Sequence, residues 1–259
     1  VLCLFSHCIP TGVRHGTVTV CLDGVSAEVT TYRCDGAYHD GRHPDGVRFV
    51  RRLAEDLSRR DFTINAMAMD TDGRITDLFG GQEDLSRRVV RCVGDPETRF
   101  REDALRMLRA YRFAAQLGFS LDTQTHAAIR RCAPLCAALS RERVREEAEK
   151  ALLSDQPAYF GRMLSEGLLA ACMRPQNADF SDLSALPKTP ETRWTAVRLR
   201  CPDFCPEDFR LPAKLCLESA SSAAGAVLLH FSFFSAYVMY NRNTENQAFG
   251  RQALIRSVI

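Results

Sequence analysis

The sequence predicts an α+β protein in which a small β-rich part precedes a longer helical part. Residues 17–33 contain two β-branched runs around Asp23-Gly24, a dipeptide that favours the tight turn of a β-hairpin. From residue 51 onward the sequence has helical character, with one extended interruption around "GRITDLFGG". Of the 259 residues, 46% are hydrophobic and 25% charged, which is typical of a folded chain with a sizeable core.

The second strand of the hairpin places Glu28, Thr30 and Tyr32 on one face, because side chains alternate with a period of two. The stretch that follows, residues 34–48, has glycine and proline interspersed with charges and histidines. Such a composition predicts a mobile loop with no regular element.

Two helices are predicted from their terminal residues. The segment "DPETRFREDALRMLRAYRFAAQLGF" is predicted to be one helix, which begins at Asp95-Pro96 and ends at Gly118. A further helix is predicted over "SRERVREEAEKALL", with Ser140 as its N-cap. Proline-punctuated helices are expected over residues 156–215.

Charge and cysteine content narrow the classes of function. The formal net charge of +2 excludes a global basic field, although many arginines are concentrated in residues 87–147. The eleven cysteines have no regular spacing of zinc ligands, so we expect reduced thiols in a cytoplasmic protein. No membrane span is expected, because the apolar stretch "AVLLHFSFFSAYVMY" is short and interrupted by His230.

Three arginines share one face of the predicted helix over residues 102–117. At about 100° per residue, Arg106, Arg109 and Arg112 fall opposite an apolar stripe. One interpretation is a solvated face with an ion pair between Asp103 and Arg106, worth a few tenths of a kcal/mol. The other is an anion site, because three arginines with few acids nearby repel one another.

Several motifs together resemble a known family. "RRDFTINAMA", "DLFGGQEDL", "REDALRMLRAYRFAAQLGF" and "SRERVREEAEK" are similar, in order and spacing, to bacterial-type class II tRNA nucleotidyltransferases. These CCA-adding enzymes belong to the tRNA nucleotidyltransferase/poly(A) polymerase family. "TGVRHGTVTV" and "AEVTTYRCDGAYHDGRHPDGVRFV" resemble the head domain of that family, so the resemblance covers about residues 11–153.

The resemblance implies a domain organisation. Residues 1–82 would be the remainder of a polymerase-β-like nucleotidyltransferase head, with a small mixed sheet. Residues 83–153 would form a helical neck that carries a nucleotide-base template, and residues 154–259 a helical body. The last fifty residues show no motif that we can interpret.

The resemblance also implies an activity. The family adds C and/or A from CTP and ATP to the 3′ end of tRNA, with Mg²⁺ as cofactor and with protein side chains selecting the base. A poly(A) polymerase of the same family is one alternative. A non-catalytic fragment that binds tRNA or nucleotide is the other.

Residue roles follow from the motif positions. Arg60 and Asp61 match the pair that handles the triphosphate and ribose of the incoming nucleotide. Asp103 and Arg106 match the protein template that reads the base. The further nucleotide contacts are matched by Arg109 and Arg112.

Three other groups of residues are implied in the same way. Within "DLFGG", the residues that match the flexible hinge between head and neck are Asp77, Gly80 and Gly81. Within "RERVREE", the residues that match the support of the template helix are Glu142, Arg143 and Glu146. Glu28 matches a strand carboxylate near the metal ions.

One departure from the family pattern concerns catalysis. The family head opens with a glycine-rich loop and a strand carrying Asp-x-Asp, whose carboxylates hold two magnesium ions. Neither motif occurs in this sequence, so the catalytic aspartates are not identified. Because the chain also begins without methionine, we expect that it lacks an N-terminal part and is itself inactive.

Overall fold

The computed structural model describes residues 1–13, 16–35 and 47–212. Its largest sheet is antiparallel, in the order β1 (Cys8–Gly12), β2 (Thr17–Leu22) and β3 (Val25–Thr30). The predicted hairpin is confirmed, with Leu22 opposite Val25 across the turn. Asp23 and Gly24 have φ angles of 49° and 79°, the positive values that such a two-residue turn requires.

Three smaller sheets follow, each of two strands. β4 (Arg33–Asp35) pairs with β5 (Val47–Phe49) and β6 (Met67–Met69) with β7 (Ile75–Asp77), both antiparallel. β8 (Val89–Val90) and β9 (Ser120–Leu121) are parallel. The predicted loop over residues 34–48 is therefore wrong at both ends, where the chain is in strands, and residues 36–46 lie outside the described part.

The helices lie mainly after residue 80. In chain order they are α1 (Leu53–Ser58), α2 (Gly81–Arg87), α3 (Pro96–Glu102), α4 (Leu105–Leu117), α5 (Thr123–Cys132), α6 (Arg141–Leu152), α7 (Ala158–Ser165) and α8 (Pro190–Arg200). Short 3₁₀ helices cover Thr63–Asn65, Ala133–Ala138 and Ser181–Ala185. With its small sheets and predominant helices, the protein has the α+β class that the sequence predicts.

The single helix predicted from residue 95 to residue 118 is wrong, because the chain breaks at Asp103. This residue is extended, with φ −146° and ψ 106°, and separates α3 from α4. Its carboxylate accepts the backbone N–H of Leu105 at 3.0 Å, a local hydrogen bond that replaces helical pairing. Asp103 therefore precedes α4 and does not lie on its surface, whereas the predicted ends at Pro96 and Gly118 are confirmed.

Helix α4 lies at the centre of the helical part. Its predicted apolar stripe is buried, with at most 1% exposure, at Met107, Leu108, Tyr111, Ala114 and Ala115. Helix α4 contacts both α6 and α7, as expected for a helix with a buried apolar stripe.

No helix in the described residues is both long and apolar enough to cross a bilayer. The apolar stretch that contains His230, residues 226–240, lies outside the described part.

Candidate functional site

A cleft of about 770 Å³ opens between the three-stranded sheet and the helical part. Five of the six predicted nucleotide-binding residues line it, namely Arg60, Asp61, Asp103, Arg106 and Arg109. The lining also includes Glu28 and Thr30, which the strand alternation places on one face. Residues from positions 17 to 143 thus meet at one site.

Asp56 organises the two arginines that precede Asp61. Its side chain is only 3% exposed, and it forms ion pairs with Arg59 at 2.7 Å and with Arg60 at 3.0 Å. Burial by itself would raise the pKa of Asp56, but hydrogen bonds from Arg59, the Arg33 backbone and Arg60 lower it. Asp56 is not among the residues predicted from the sequence, although its i,i+3 and i,i+4 spacing to the arginines is a usable signal.

Asp61 is held from two sides of the cleft. One carboxylate oxygen accepts the backbone N–H of Phe62 at 2.9 Å and the side-chain amide of Asn65 at 3.2 Å. The other accepts from Arg109 Nε at 2.8 Å and forms an ion pair with its terminal nitrogen at 2.7 Å. These contacts fix the carboxylate in the orientation it presents to the cleft.

The predicted base-reading pair is held by other charged residues. Arg106 pairs with Glu102 at 2.7 Å, and Asp103 pairs with Arg143 at 2.9 Å. The interpretation of a solvated face with an Asp103–Arg106 ion pair is wrong, because each residue pairs with another partner. Arg106 is also buried and donates to the backbone oxygen of Arg59 at 3.3 Å.

Arg112 is not among the residues that line the cleft. It pairs with buried Glu147 at 2.5 Å, donates to Gln116 at 2.9 Å, and lies over the ring of Phe113 at 3.8 Å. Each of the three α4 arginines therefore has an acidic partner, which contradicts the expectation of too few acids. A role of Arg112 in nucleotide binding stays a prediction.

The support of α4 by α6 differs in part from the expectation. Arg143 contacts Asp103, but Glu142 lies 3.6 Å from Arg210 on the exposed side of α6. Glu146 is exposed to solvent. The acid that supports α4 is instead Glu147, one position further along the helix.

The predicted hinge forms an ordered helix start. The carboxylate of Asp77 accepts backbone N–H groups of Phe79, Gly81 and Gln82 at 2.9–3.2 Å. The pKa of Asp77 is lowered, because these hydrogen bonds outweigh the opposing effect of desolvation. Gly80 has φ 76°, and an added Cβ at Gly81 would lie 2.3 Å from the oxygen of Thr63. Bending at this segment stays a prediction.

The carboxylates of the cleft do not form a metal centre by themselves. Asp61 and Asp103 are engaged by arginines, which leaves Glu28 as a single acidic side chain on β3. Among residues 1–13, 16–35 and 47–212, no three His, Cys, Asp or Glu side chains are grouped to hold a metal ion. A two-ion site needs several carboxylate oxygens, so the described residues do not fit one.

Two family models match parts of this chain. A model of the "Poly A polymerase head domain" matches residues 3–91, and a model of the "Probable RNA and SrmB- binding site of polymerase A" matches residues 118–179. The chain is 48% identical over 184 residues to the CCA-adding enzyme of Limosilactobacillus reuteri, a match that covers 71% of this chain and 45% of the relative.

Solved structures are similar as well. The chain superposes on the CCA-adding enzyme of Bacillus stearothermophilus in complex with CTP with a TM-score of 0.71 and 38% identity, covering 89% of this chain and 58% of that one. A tRNA nucleotidyltransferase complexed with a primer tRNA and an incoming ATP analogue gives a TM-score of 0.51 at 27% identity, covering 74% and 55%. The chain thus spans about half the length of these relatives. By sequence, by both domain models and by fold, it belongs to the tRNA nucleotidyltransferase/poly(A) polymerase family.

Proposed function

We propose that the protein containing this chain is a template-independent RNA nucleotidyltransferase that adds C and/or A from CTP and ATP to the 3′ end of tRNA. The observation that carries the proposal is the meeting of Asp103 and Arg106 with Arg60, Asp61 and Arg109 in one cleft. The poly(A) polymerase alternative is not favoured, because the relatives compared are CCA-adding enzymes.

Base selection would follow from hydrogen-bond polarity. Cytosine and adenine present an amino donor beside a ring-nitrogen acceptor, whereas uracil and guanine present a carbonyl acceptor beside an N–H donor. An ionised Asp103 only accepts and Arg106 only donates, so the pair suits cytosine and adenine. Arg143 and Glu102 hold the two side chains in place, which reduces the freedom lost when a base binds.

The rest of the nucleotide would meet the residues on either side of this pair. Arg60 is 43% exposed on its side chain and can donate to the phosphates. Asp61 can accept from a ribose hydroxyl, because each carboxylate oxygen has more than one acceptor position. Arg109 lies beside Asp61 and adds a second cation near the phosphates.

Transfer RNA would be held by the helical part. The RNA-binding family model matches residues 118–179, which include α5, α6 and α7. We expect recognition by shape and phosphate contacts, so that binding weakens steeply with salt and varies little among tRNA species. A cytoplasmic location is proposed, since the described cysteines are free thiols, as reducing compartments favour.

A divalent metal is a general requirement of nucleotidyltransferases. Magnesium is the ion proposed for the whole protein, and Glu28 is the ligand that the described residues offer. Because they do not complete a site, catalytic activity is proposed for the whole protein only.

The proposal is tested by measuring nucleotide binding to the chain. Equilibrium titration should show that CTP and ATP bind at least about tenfold more tightly than UTP and GTP, since one mismatched buried pair costs about 1–3 kcal/mol. Equal affinity for all four nucleotides would contradict the proposed base selection. Incorporation of CTP into a tRNA that ends at its discriminator base would separate CCA addition from poly(A) synthesis.

A further inference from the structure

Asp56 links three parts of the cleft wall. One carboxylate oxygen accepts from Arg59 at 2.7 and 3.0 Å and from the backbone N–H of Arg33 at 3.2 Å. The other accepts from Arg60 Nη2 at 3.0 Å and Nε at 3.3 Å. Both oxygens are therefore used, and the residue is buried at 2% exposure.

The contact with Arg33 is closed by a second hydrogen bond. Arg59 Nε donates to the backbone oxygen of Arg33 at 2.8 Å. Asp56 thus binds the backbone N–H of Arg33, the first residue of β4, and Arg59 binds its backbone oxygen. Asp56 thereby fixes the arginines relative to β4, the strand that leads into residues 36–46.

Asp56 holds Arg60 by two of its three guanidinium nitrogens, which leaves the third for another acceptor. Arg60 gives Nη2 and Nε to Asp56, while the partner of Nη1 within the described part of the chain is the backbone oxygen of Asn65, at a long 3.4 Å. A guanidinium held at two of its nitrogens keeps one orientation, because its donors are fixed in a plane. Its third nitrogen then points to the same place before and after an anion binds.

We propose that Asp56 is a positioning residue for the triphosphate: it holds Arg60, through a two-point contact, in the orientation that meets the phosphates. The inference rests on the proposed function, because it assumes that Arg60 meets a nucleotide. Asp56 itself is buried and does not line the cleft, whereas Arg59 and Arg60 do.

Replacement of Asp56 should change the affinity for a triphosphate in opposite directions, depending on whether the residue acts through its charge alone or by positioning Arg60. Asp56→Asn removes a negative charge from the cleft, which by electrostatics alone would tighten the binding of a triphosphate. Loss of positioning would weaken it, because Arg60 must then be ordered during binding. We expect that CTP affinity falls by about tenfold while CMP affinity changes by less than about twofold.

A double-mutant cycle tests whether Asp56 acts through Arg60. In the background of Arg60→Gln, Asp56→Asn should change CTP affinity by less than about twofold, because its target is already gone. The same loss in both backgrounds, or tighter CTP binding by Asp56→Asn, would overturn the proposal. Glu83→Gln is the matched control: Glu83 pairs with Arg87 at the same i,i+4 spacing but is 70% exposed, and CTP affinity should not change.

A second variant covers the case in which Asp56→Asn fails to fold. Arg60→Lys keeps the positive charge at a half-exposed position, but an ammonium cannot make the two-point contact. The ratio of CTP to CMP affinity should fall by about fivefold with this variant. An unchanged ratio would overturn the proposal, whereas a wild-type chain that binds no CTP would refute the proposed function instead.

Discussion

The guanidinium of Arg109 lies 2.7 Å from the carboxylate of Asp61, which joins α4 to the segment that follows α1. The two residues are 48 positions apart in the sequence, and Asp61 is only 10% exposed on its side chain. Hydrogen bonds between ionised groups are shorter and stronger than neutral ones, so the contact fixes the two walls of the cleft relative to each other.

The fixed carboxylate of Asp61 leads to a prediction about the sugar. Asp61→Asn should reduce the preference for CTP over 2′-deoxy-CTP by about five- to tenfold, because a hydrogen bond to a charged group is worth about 1.5–3 kcal/mol. Competition titrations with the two nucleotides measure the ratio. The result would count against a ribose contact if the variant kept the wild-type ratio.

A second prediction concerns the acid that supports α4. Glu147→Gln should lower the free energy of unfolding by about 2–4 kcal/mol, since it leaves Arg112, 12% exposed, without its ionic partner. Glu146→Gln is the matched control, because its side chain is exposed on the same helix, and should change stability by less than about 0.5 kcal/mol. Urea unfolding of both variants measures the two changes in the free energy of unfolding. Equal effects would show that Glu147 gives no special support.

The parts of the fold that the sequence predicts correctly depend on local chemistry. The turn at Asp23-Gly24 needs positive φ, and the helix ends at Pro96 and Gly118 need a fixed φ and a left-handed residue. Each requirement is met by the residue at that position, whatever the rest of the chain does. The break at Asp103 was not predicted, because residues that favour a helix flank it on both sides.

The ion pairs of the site could not be predicted from local sequence. Arg112 meets Glu147 across 35 positions and Arg143 meets Asp103 across 40, and these pairings depend on how α4 and α6 pack. One signal was present: Glu147 lies three residues after Val144 and directly before Ala148, both fully buried on the inner face of α6. A helical projection of α6 would have favoured it over Glu146.

Acid pH gives a third prediction. The pKa of Asp56 and of Asp77 is lowered in the folded chain, so both carboxylates favour the folded state at pH values above their unfolded pKa of about 3.9. That contribution is lost as the pH falls through the lower folded values. Unfolding in urea between pH 6 and pH 3 should show decreasing stability, with a smaller decrease in Asp77→Asn. An identical decrease in the variant would show that the Asp77 carboxylate is not involved.

The fourth prediction concerns the choice of base, and the structure determines which variant can test it. A direct exchange of charges would place Asp103→Arg against Arg143 and Arg106→Asp against Glu102. Each change brings like charges together in a poorly exposed site, so the exchange would disturb the fold and its effect on selectivity could not be interpreted. A smaller change in polarity at Asp103 avoids this problem.

Asp103→Asn keeps the shape of the side chain and an oxygen that can accept from Arg143, but it adds an amide donor. The donor can meet the carbonyl of uracil or guanine, so the affinity ratios of CTP over UTP and of ATP over GTP should fall by about five- to tenfold. Asp95→Asn is the matched control, since Asp95 likewise precedes a helix but does not line the cleft, and should leave both ratios unchanged. Wild-type ratios in Asp103→Asn would mean that this carboxylate does not read the base.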